Sequence, residues 1–588
     1  MSPILSHCVR FASVLLLASL ASAQSRYFWS DTLDGTGGLD DQSRDLVISP
    51  QGQLFDAGVS MGVANQDGLI VAHDPYGHRL WERRVDFGGS ETALMLRYDN
   101  ASADLYVVGT SATHWLILRV DAPTGAIVWQ HDYFGPALQG GLPMAMALDA
   151  SGGVVVGGYV DSPALRQAAV ARFDSAGGLT WEWFPGIAGA SVSYCPTITL
   201  DPAGDLVAKV SANVQGNSWS LHKLTSAGSL VWSRTIGSTE SGLQGPLFDS
   251  ASNVVYSINV STIGGHVIAK RDSAGNLLWS VDSQAIFGIN SSNYFLALAA
   301  NDDILALGSS SQVARLDPNG NLLWLAGMPQ SSWIDFGAFA SGLAVANNGD
   351  VVARFRGHQP FNFLDLDTIA RWDAAGNFLW SQAVRSFDSD VEVQTLGMAL
   401  APQGSVVISG YSQKVGSTKD MFYAAVHQAS QAGCFGDGSS GPCPCGNNVP
   451  AGTASGCKTS SGIGARLDDQ GIASLGSDSL RFFATGMSGS GIAILLQGQP
   501  SATPFSFQDG RMCIQAPLRR LYSASLTIPM VDFAPLGGPR VHARSAQLGD
   551  VIQPGTSRGY QLFFRGSPSQ CQPGNGNLSN AIIVNWAP

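Results

Sequence analysis

Along most of the chain, short apolar-rich runs are broken every dozen residues or so by Gly, Ser, Asn and Asp. Runs such as AAVARF (168–173) and VIAKR (267–271) have strand length and strand composition. Each is followed by a tight turn and then by L-x-W or V-x-W. This is strand, turn, strand: a hairpin. The turn recurs as Asp, two residues, Gly, three residues, Trp. It reads DPYGHRLW from Asp74, DSAGGLTW from Asp174, DSAGNLLW from Asp272, DPNGNLLW from Asp317 and DAAGNFLW from Asp373, with variants DAPTGAIVW from Asp121 and TSAGSLVW from Thr225. Asp bonds its own backbone two residues on, and Gly supplies the positive φ that closes the turn. The tryptophans are Trp81, Trp129, Trp181, Trp232, Trp279, Trp324 and Trp380, spaced 45 to 56 residues apart. Burying about 200 Å2 of indole in each unit contributes roughly 5 kcal/mol before entropy is subtracted. A Trp at one place in every unit is therefore expected to staple neighbours together.

A second signal lies between the tryptophans: a turn of small or acidic residues, then a short apolar strand. Clear copies are DASGGVVVGG from Asp149, DPAGDLVAKV from Asp201, ANNGDVVARF from Ala346 and APQGSVVISG from Ala401. Looser copies begin at Ser49, Asp99, Asp249 and Asn301, which makes eight. The Trp hairpin has only seven copies. The strand MFYAAV (421–426) has no Trp after it, and Trp29 has no hairpin before it but lies 52 residues ahead of Trp81. The Trp29 strand is thus expected to complete the eighth unit and close a ring. Four-stranded units in a closed ring form a β-propeller, here eight-bladed, with seven blades as the alternative. Nothing resembles the polar cap that a linear solenoid needs.

Composition sharpens the picture. Charged residues are 13% of the chain and Gly is 69 of 588, which fits an all-β chain and not a disordered or helical one. Lys and Arg number 32 against 44 Asp and Glu, with no basic run, which excludes nucleic acid as the expected partner. Residues 1–23 have the layout of a secretory signal: Arg10, the apolar stretch FASVLLLASL, and Ala21-Ser22-Ala23 before Gln24. The expected location is extracellular, cell-surface or periplasmic. No other stretch approaches the roughly 18 apolar residues of a membrane-spanning helix. Loss of Arg10 with the signal changes the net charge from −12 to −13.

At Gly433 the composition shifts. Residues 434–462 are nearly all turn formers and Cys, and 431–445 reads as the start of a linker. Short apolar segments follow (SLRFFATG, GIAILLQGQ, RMCIQA, YSASLTI, PRVHARSAQ, RGYQLFFR and AIIVNWA), the pattern of a small β-sandwich over 434–588. Cys434, Cys443, Cys445, Cys457, Cys513 and Cys571 form an even set, which in an exported chain reads as three disulfides with fifteen possible connectivities. A zinc site at the first four is the rival, although spacings of x8, x1 and x11 depart from C-x2-C pairs. Cys195 is left over as a buried free thiol.

The D-x-x-G-x-x-x-W hairpin resembles the tryptophan-docking repeat of pyrroloquinoline-quinone-type propellers, and the V-A-R-x-D strand resembles repeats of bacterial surface propellers of the SBBP and delta-60 type. This resemblance covers about 26–430 and implies a ring shared by dehydrogenases and by noncatalytic scaffolds. The pieces CFGDG, CPCGNN, RMC, GYQLFFR and LSNAIIVNW resemble a C-terminal domain of secreted planctomycete proteins. That resemblance implies a sorting, anchoring or display role.

Candidate chemistry is sparse. Gly555-Thr-Ser557-Arg-Gly559 fits G-x-S-x-G but precedes a strand, where a nucleophile elbow needs a strand-to-helix turn. Asp388, Asp390 and Glu392 are oxygen donors of the kind calcium takes. Asp365 and Asp367 are a carboxylate pair of the kind that glycoside hydrolysis uses. His73, His131 and His222 fall in or beside repeat strands with no metal-binding spacing. The quinone-enzyme reading implies adjacent Cys and clustered calcium ligands, and the propeller has Cys195 alone. Trp115, Trp183, Trp219, Trp333 and Trp372 lie outside the repeat set and are either blade packing or stacking platforms. The expected function is noncatalytic, with no cofactor: a monomeric platform for a protein or carbohydrate, displayed by the C-terminal module. A quinone-dependent dehydrogenase or another propeller enzyme such as a glycosidase is the alternative.

Overall fold

The computed structural model describes residues 26–586, apart from 35–38, 63–64, 76, 138, 215–217, 238–245, 261–264, 289–294, 309–311, 328–338, 359–364, 385–390, 403, 415–417, 428–429, 451–452, 454, 471–472, 474, 476–477, 479, 488–490, 527–529, 534–538, 566–570 and 572–575. The signal-like residues 1–23 lie outside this set. The chain divides into two compact units, Gln24–Gln428 and, after it, Ala429–Pro588.

The first unit is an eight-bladed propeller. Seven blades are antiparallel four-stranded meanders in chain order, spanning 41–85, 91–133, 141–183, 193–237, 247–282, 295–327 and 339–383. The eighth takes three strands from 391–427, and its outermost strand is Arg26–Leu33. Tyr27 pairs with Val426, Trp29 with Ala425 and Leu33 with Met421, so the N-terminal strand closes the ring. First strands of successive blades abut one another all the way round, from Asp41–Ile48 to Val391–Leu400 and back. They are therefore the innermost strands, and the Trp-bearing fourth strands are the outermost.

Second and third strands carry the core. Leu105, Tyr106, Val107 and Val108 are fully buried, as are Val154 to Val156. Six first strands carry a bulge opposite the second strand. At Gly58, Gly109, Gly158 and Gly410 a Cβ would lie 1.8–2.2 Å from a carbonyl oxygen of the bulged strand. Close approach of backbone to backbone is what the Gly of VVVGG and VVISG permits.

The second unit is a two-sheet sandwich. One sheet has the order Ser430–Gly433, Gly576–Asn585, Ser557–Arg565, Ile492–Phe507, Gly510–Ser525; the other is Arg466–Gln470, Arg481–Thr485, Met530–Phe533. Leu467, Phe482 and Phe533 pack against Leu495, Tyr560, Leu562 and Ile582 between them. Residues 430–433 form an edge strand here, so the expected linker start at 431–445 belongs to the folded unit. PRVHARSAQ, expected as a strand, is corrected to helix α1 over Val541–Gln547. Ala543, Arg544, Ala546 and Gln547 are strong helix formers that outweigh one β-branched Val541. The buried Asp478 carboxylate accepts the His542 N–H at 2.8 Å and satisfies an open donor of the first turn.

Disulfides join Cys434 to Cys513, Cys443 to Cys457 and Cys445 to Cys571. With all four of the zinc-candidate thiols oxidised, no thiolate remains for a metal. Buried amides tie the Cys-rich segment to the sheets. Asn447 donates to Lys458 O and Asp509 O, Gln561 donates to Arg511 O and Ser579 O, and Asn580 bonds both backbone groups of Leu467. These amides come from CPCGNN, GYQLFFR and LSNAIIVNW, so each of these segments singled out in the sequence supplies a buried polar anchor. Each amide does for an irregular segment what a ladder does for a strand.

Candidate functional site

The repeat residues build the joints of the ring. Trp81, Trp129, Trp181, Trp232, Trp279 and Trp324 each donate the indole N–H to a carbonyl in the next blade's turn, at 2.8–3.1 Å. The ring of each lies on that turn's Gly: a Cβ on Gly125, Gly177, Gly228, Gly275, Gly320 or Gly376 would sit 2.6–2.9 Å from it. The turn Gly thus has two duties, a left-handed φ (+86° at Gly320) and a flat seat for the neighbour's indole. Trp380 is buried; Trp29 is placed by its backbone, and its side chain lies outside the described residues. Gly320→Ala is expected to lower propeller stability by about 2–4 kcal/mol through the strained φ and the clash with Trp279. Denaturant titration followed by Trp fluorescence checks this, since of the 14 Trp only Trp586 lies in the second unit.

A basic residue two positions before the turn Asp reinforces the joints, a role that sequence reasoning did not assign. Arg119, Arg172, Lys270, Arg315 and Arg371 lie 2.6–2.8 Å from Asp104, Asp149, Asp249, Asp303 and Asp350. Arg119, Lys270 and Arg315 also donate to the same carbonyls that the Trp indoles use, at Ser175, Pro318 and Ala374. The signal was present as the R of V-A-R-x-D.

The closing seam has different chemistry. In blade 1, Asp56 and His73 stand where other blades have apolar residues such as Val156 and Phe173, and Ala72 stands at the basic position. Asp56 is fully buried; Ser43 Oγ donates to its Oδ2 at 2.5 Å, and Tyr423 Oη of blade 8 lies 3.5 Å from its Oδ1. Ser43 in turn bonds Ser409 of blade 8 at 2.6 Å. Burial pushes the Asp56 carboxyl up to about 8, against the hydrogen bonds from Ser43, Ser409 and Tyr423. His73 Nε2 and Arg79 Nη2 reach Asp31 of the N-terminal strand at 3.0 and 2.8 Å. Burial raises Asp31, but hydrogen bonds from His73 and Arg79 outweigh it and hold the carboxyl below its usual value. Asp56 and His73 have no exposed surface, and with the part-exposed Asp31 and Arg79 they lock blade 8 onto blade 1.

The other candidates fall apart on geometry. Ser557 donates to Asn585 at 2.6 Å, while His542 is engaged by Asp478 at 2.9 Å. Asp367 is buried and accepts from Thr395 Oγ1 at 2.6 Å; the Asp365 side chain lies outside the described residues, as do Asp388, Asp390, Trp333 and the Glu392 side chain. Trp115 and Trp372 are fully buried in blade packing, which removes them as stacking platforms. Trp183 packs on His222, whose imidazole burial holds down to about 4, and Trp219 packs on the Lys209 ammonium. Burial raises the Cys195 thiol to about 12.

What the propeller offers solvent is its rim. Leu230 and Val231, Leu277 and Leu278, and Leu322 and Leu323 are each about half exposed on the outer strands, and Leu80, Val128 and Leu179 continue the series. Each outer strand pairs only with its third strand, so its far edge is free of ladder partners among the described residues. The consecutive apolar pair before five of the seven hairpin tryptophans, Trp129, Trp232, Trp279, Trp324 and Trp380, is the sequence signal. An edge strand with one packed face would alternate, whereas L-L-W puts apolar groups on both faces.

No family model matches the chain, and no curated protein matches it. Solved propellers align at low identity. The C-terminal WD40 domain of Sif2 is 9% identical with a TM-score of 0.44, covering 68% of this chain and 99% of that one. Sqt1 from Chaetomium thermophilum is 12% identical with a TM-score of 0.45, over 68% and 98%. A protein of unknown function from Bacteroides caccae is 13% identical with a TM-score of 0.29, over 46% and 90%. Likenesses this distant say nothing of what the chain binds. Among the described residues, no helix is long and apolar enough to cross a membrane.

Proposed function

We propose that this is an exported, monomeric, noncatalytic binding protein whose propeller is a platform for a protein partner and whose C-terminal unit serves surface display or sorting. The observation that carries the reading is the recurrence of exposed apolar pairs on successive outer strands, each fixed in place by the docked Trp beside it. Scattered surface leucines need no explanation, but apolar side chains repeated in register around a rigid ring form a surface that a partner would cover. The free edges add backbone donors and acceptors suited to an extended segment. The display role draws on the resemblance of the C-terminal pieces to domains of secreted proteins.

The test is a rim variant, Leu230→Ser, Leu278→Ser and Leu323→Ser together. Removing exposed apolar groups is expected to change stability by under about 0.5 kcal/mol each. Chemical cross-linking on intact producing cells should join the native chain to a discrete protein, and the rim variant should lose that product. Retention on immobilised glycans with no protein cross-link would overturn the protein-platform reading in favour of carbohydrate.

A further inference from the structure

At the end of blade 1 away from the D-x-x-G turn, three carboxylates converge. Asp67 is the second residue of the third strand, Asp86 follows the outer strand, and Glu91 opens the first strand of blade 2. One carboxylate oxygen from each lies within 4.8 Å of the other two. Asp67 and Glu91 are buried and Asp86 is exposed, so the cluster opens to solvent on one side. Its donors are few. Arg84 Nη1 bonds Asp67 Oδ2 at 2.7 Å, Ser111 Oγ donates to Glu91 Oε1 at 2.8 Å, and the Gly88 N–H donates to Asp86 Oδ1 at 2.8 Å. Asp67 Oδ1 and Glu91 Oε2 are buried and accept no hydrogen bond. Two anionic oxygens taken out of water without a donor are costly, and a cation or a proton is what relieves that cost.

We infer that Asp67, Asp86 and Glu91 bind one calcium ion, which fastens the crossing from blade 1 to blade 2. Three carboxylates against one guanidinium leave a local charge of −2, the complement of a divalent ion. The donors are all oxygen, with no His or Cys, which selects hard cations over zinc or copper. Oxygens bound to one calcium at about 2.4 Å are at most about 4.8 Å apart, a bound that all three meet, and calcium tolerates irregular carboxylate geometry where magnesium demands a near-ideal octahedron and keeps its waters. The site also accounts for the run Asp86-Phe-Gly-Gly-Ser-Glu91: both ends carry ligands, and Gly88 at φ +89° turns the chain between them. The equivalent crossing after blade 2 has a His114–Asp132 pair at 3.2 Å instead, so the acidic triad belongs to this joint.

The test is calorimetric titration of calcium and of magnesium into the full chain after chelator treatment and dialysis. One calcium per chain is expected, with magnesium at least tenfold weaker. Asp86→Asn, at an exposed position that leaves the core alone, should weaken calcium at least tenfold; Glu91→Gln should abolish it. Absence of saturable calcium binding at millimolar concentration overturns the inference. Calcium binding that survives Asp86→Asn unchanged also overturns it, since the ion then sits elsewhere, even if Glu91→Gln fails to fold.

Discussion

Reduction at neutral pH is expected to unfold residues 429–588 while the propeller stays folded. The three disulfides all lie in the second unit, and the propeller's Cys195 is a buried free thiol. The Cys445–Cys571 bridge spans 126 residues and Cys434–Cys513 spans 79. By loop-closure entropy the longer of these is worth about 5 kcal/mol, with less than the sum for the interlocked set. That is comparable to the whole stability of a domain of this size. The segment 434–462 has no apolar core of its own to fall back on, so its hold on the sheets rests on the bridges and the buried amides. Cys445→Ser with Cys571→Ser should therefore expose the second unit to protease at 37 °C, while Trp fluorescence, dominated by the propeller, stays native. Simultaneous loss of both signals on reduction would show that the units unfold as one.

The ring was legible from the sequence because its joints are local and repeated. A turn Asp, a Gly and a Trp at fixed spacing encode the contact once per blade, and eight copies of the second signal against seven of the Trp hairpin pointed to Trp29 as the closing strand. What the sequence hid has a common physical cause. Each hidden feature depends on residues brought together from different strands, within a blade or across blades and sheets. The pairing of Arg119 with Asp104, the seat that Gly320 offers Trp279 and the contact of Asp56 with Tyr423 are set by strand register, not by spacing. The same holds for Cys434 meeting Cys513, one of fifteen connectivities open to the sequence. The helix at Val541–Gln547 has the opposite origin: its good helix formers are a local signal set within a β-rich surrounding sequence. The rim was in plain view as L-L-W, yet its exposure follows only once the outer strand is known to be an edge.

Relative to Asp56→Asn, the native propeller is expected to lose stability as pH rises from about 4 to about 8, and above that the difference is expected to level. The Asp56 carboxyl titrates near 8 in the fold against 3.8 for the free group. A raised acid contributes fully below its unfolded value. Its contribution is lost as pH climbs through that interval, because the unfolded chain ionises while the folded one must keep the proton. The interval from 3.8 to about 8 corresponds to about 6 kcal/mol as an upper figure, at about 1.4 kcal/mol for each tenfold change in proton affinity. Asp45, the nearby carboxylate that pushes in the same direction, lies on the same blade, and Tyr423 faces the group from blade 8. Asp31 works with the opposite sign. Held low by His73 and Arg79, it stabilises at pH values above its unfolded value and loses that contribution as pH falls through its folded one. The seam is therefore loosened from both ends of the pH scale. Lys209, brought down to about 8 by burial, is worth more as the amine, so stability should recover somewhat above pH 8 in native chain and variant alike. Denaturant midpoints by Trp fluorescence at pH 4.5, 6, 7.5 and 9 check the whole curve. A native curve that runs parallel to that of Asp56→Asn across this range would mean that the buried carboxyl is ionised in the fold. Loss of Asp56 should matter most to the strand Arg26–Leu33, because that strand joins the ring only here, where Tyr423 and Asp31 bring blade 8 onto blade 1.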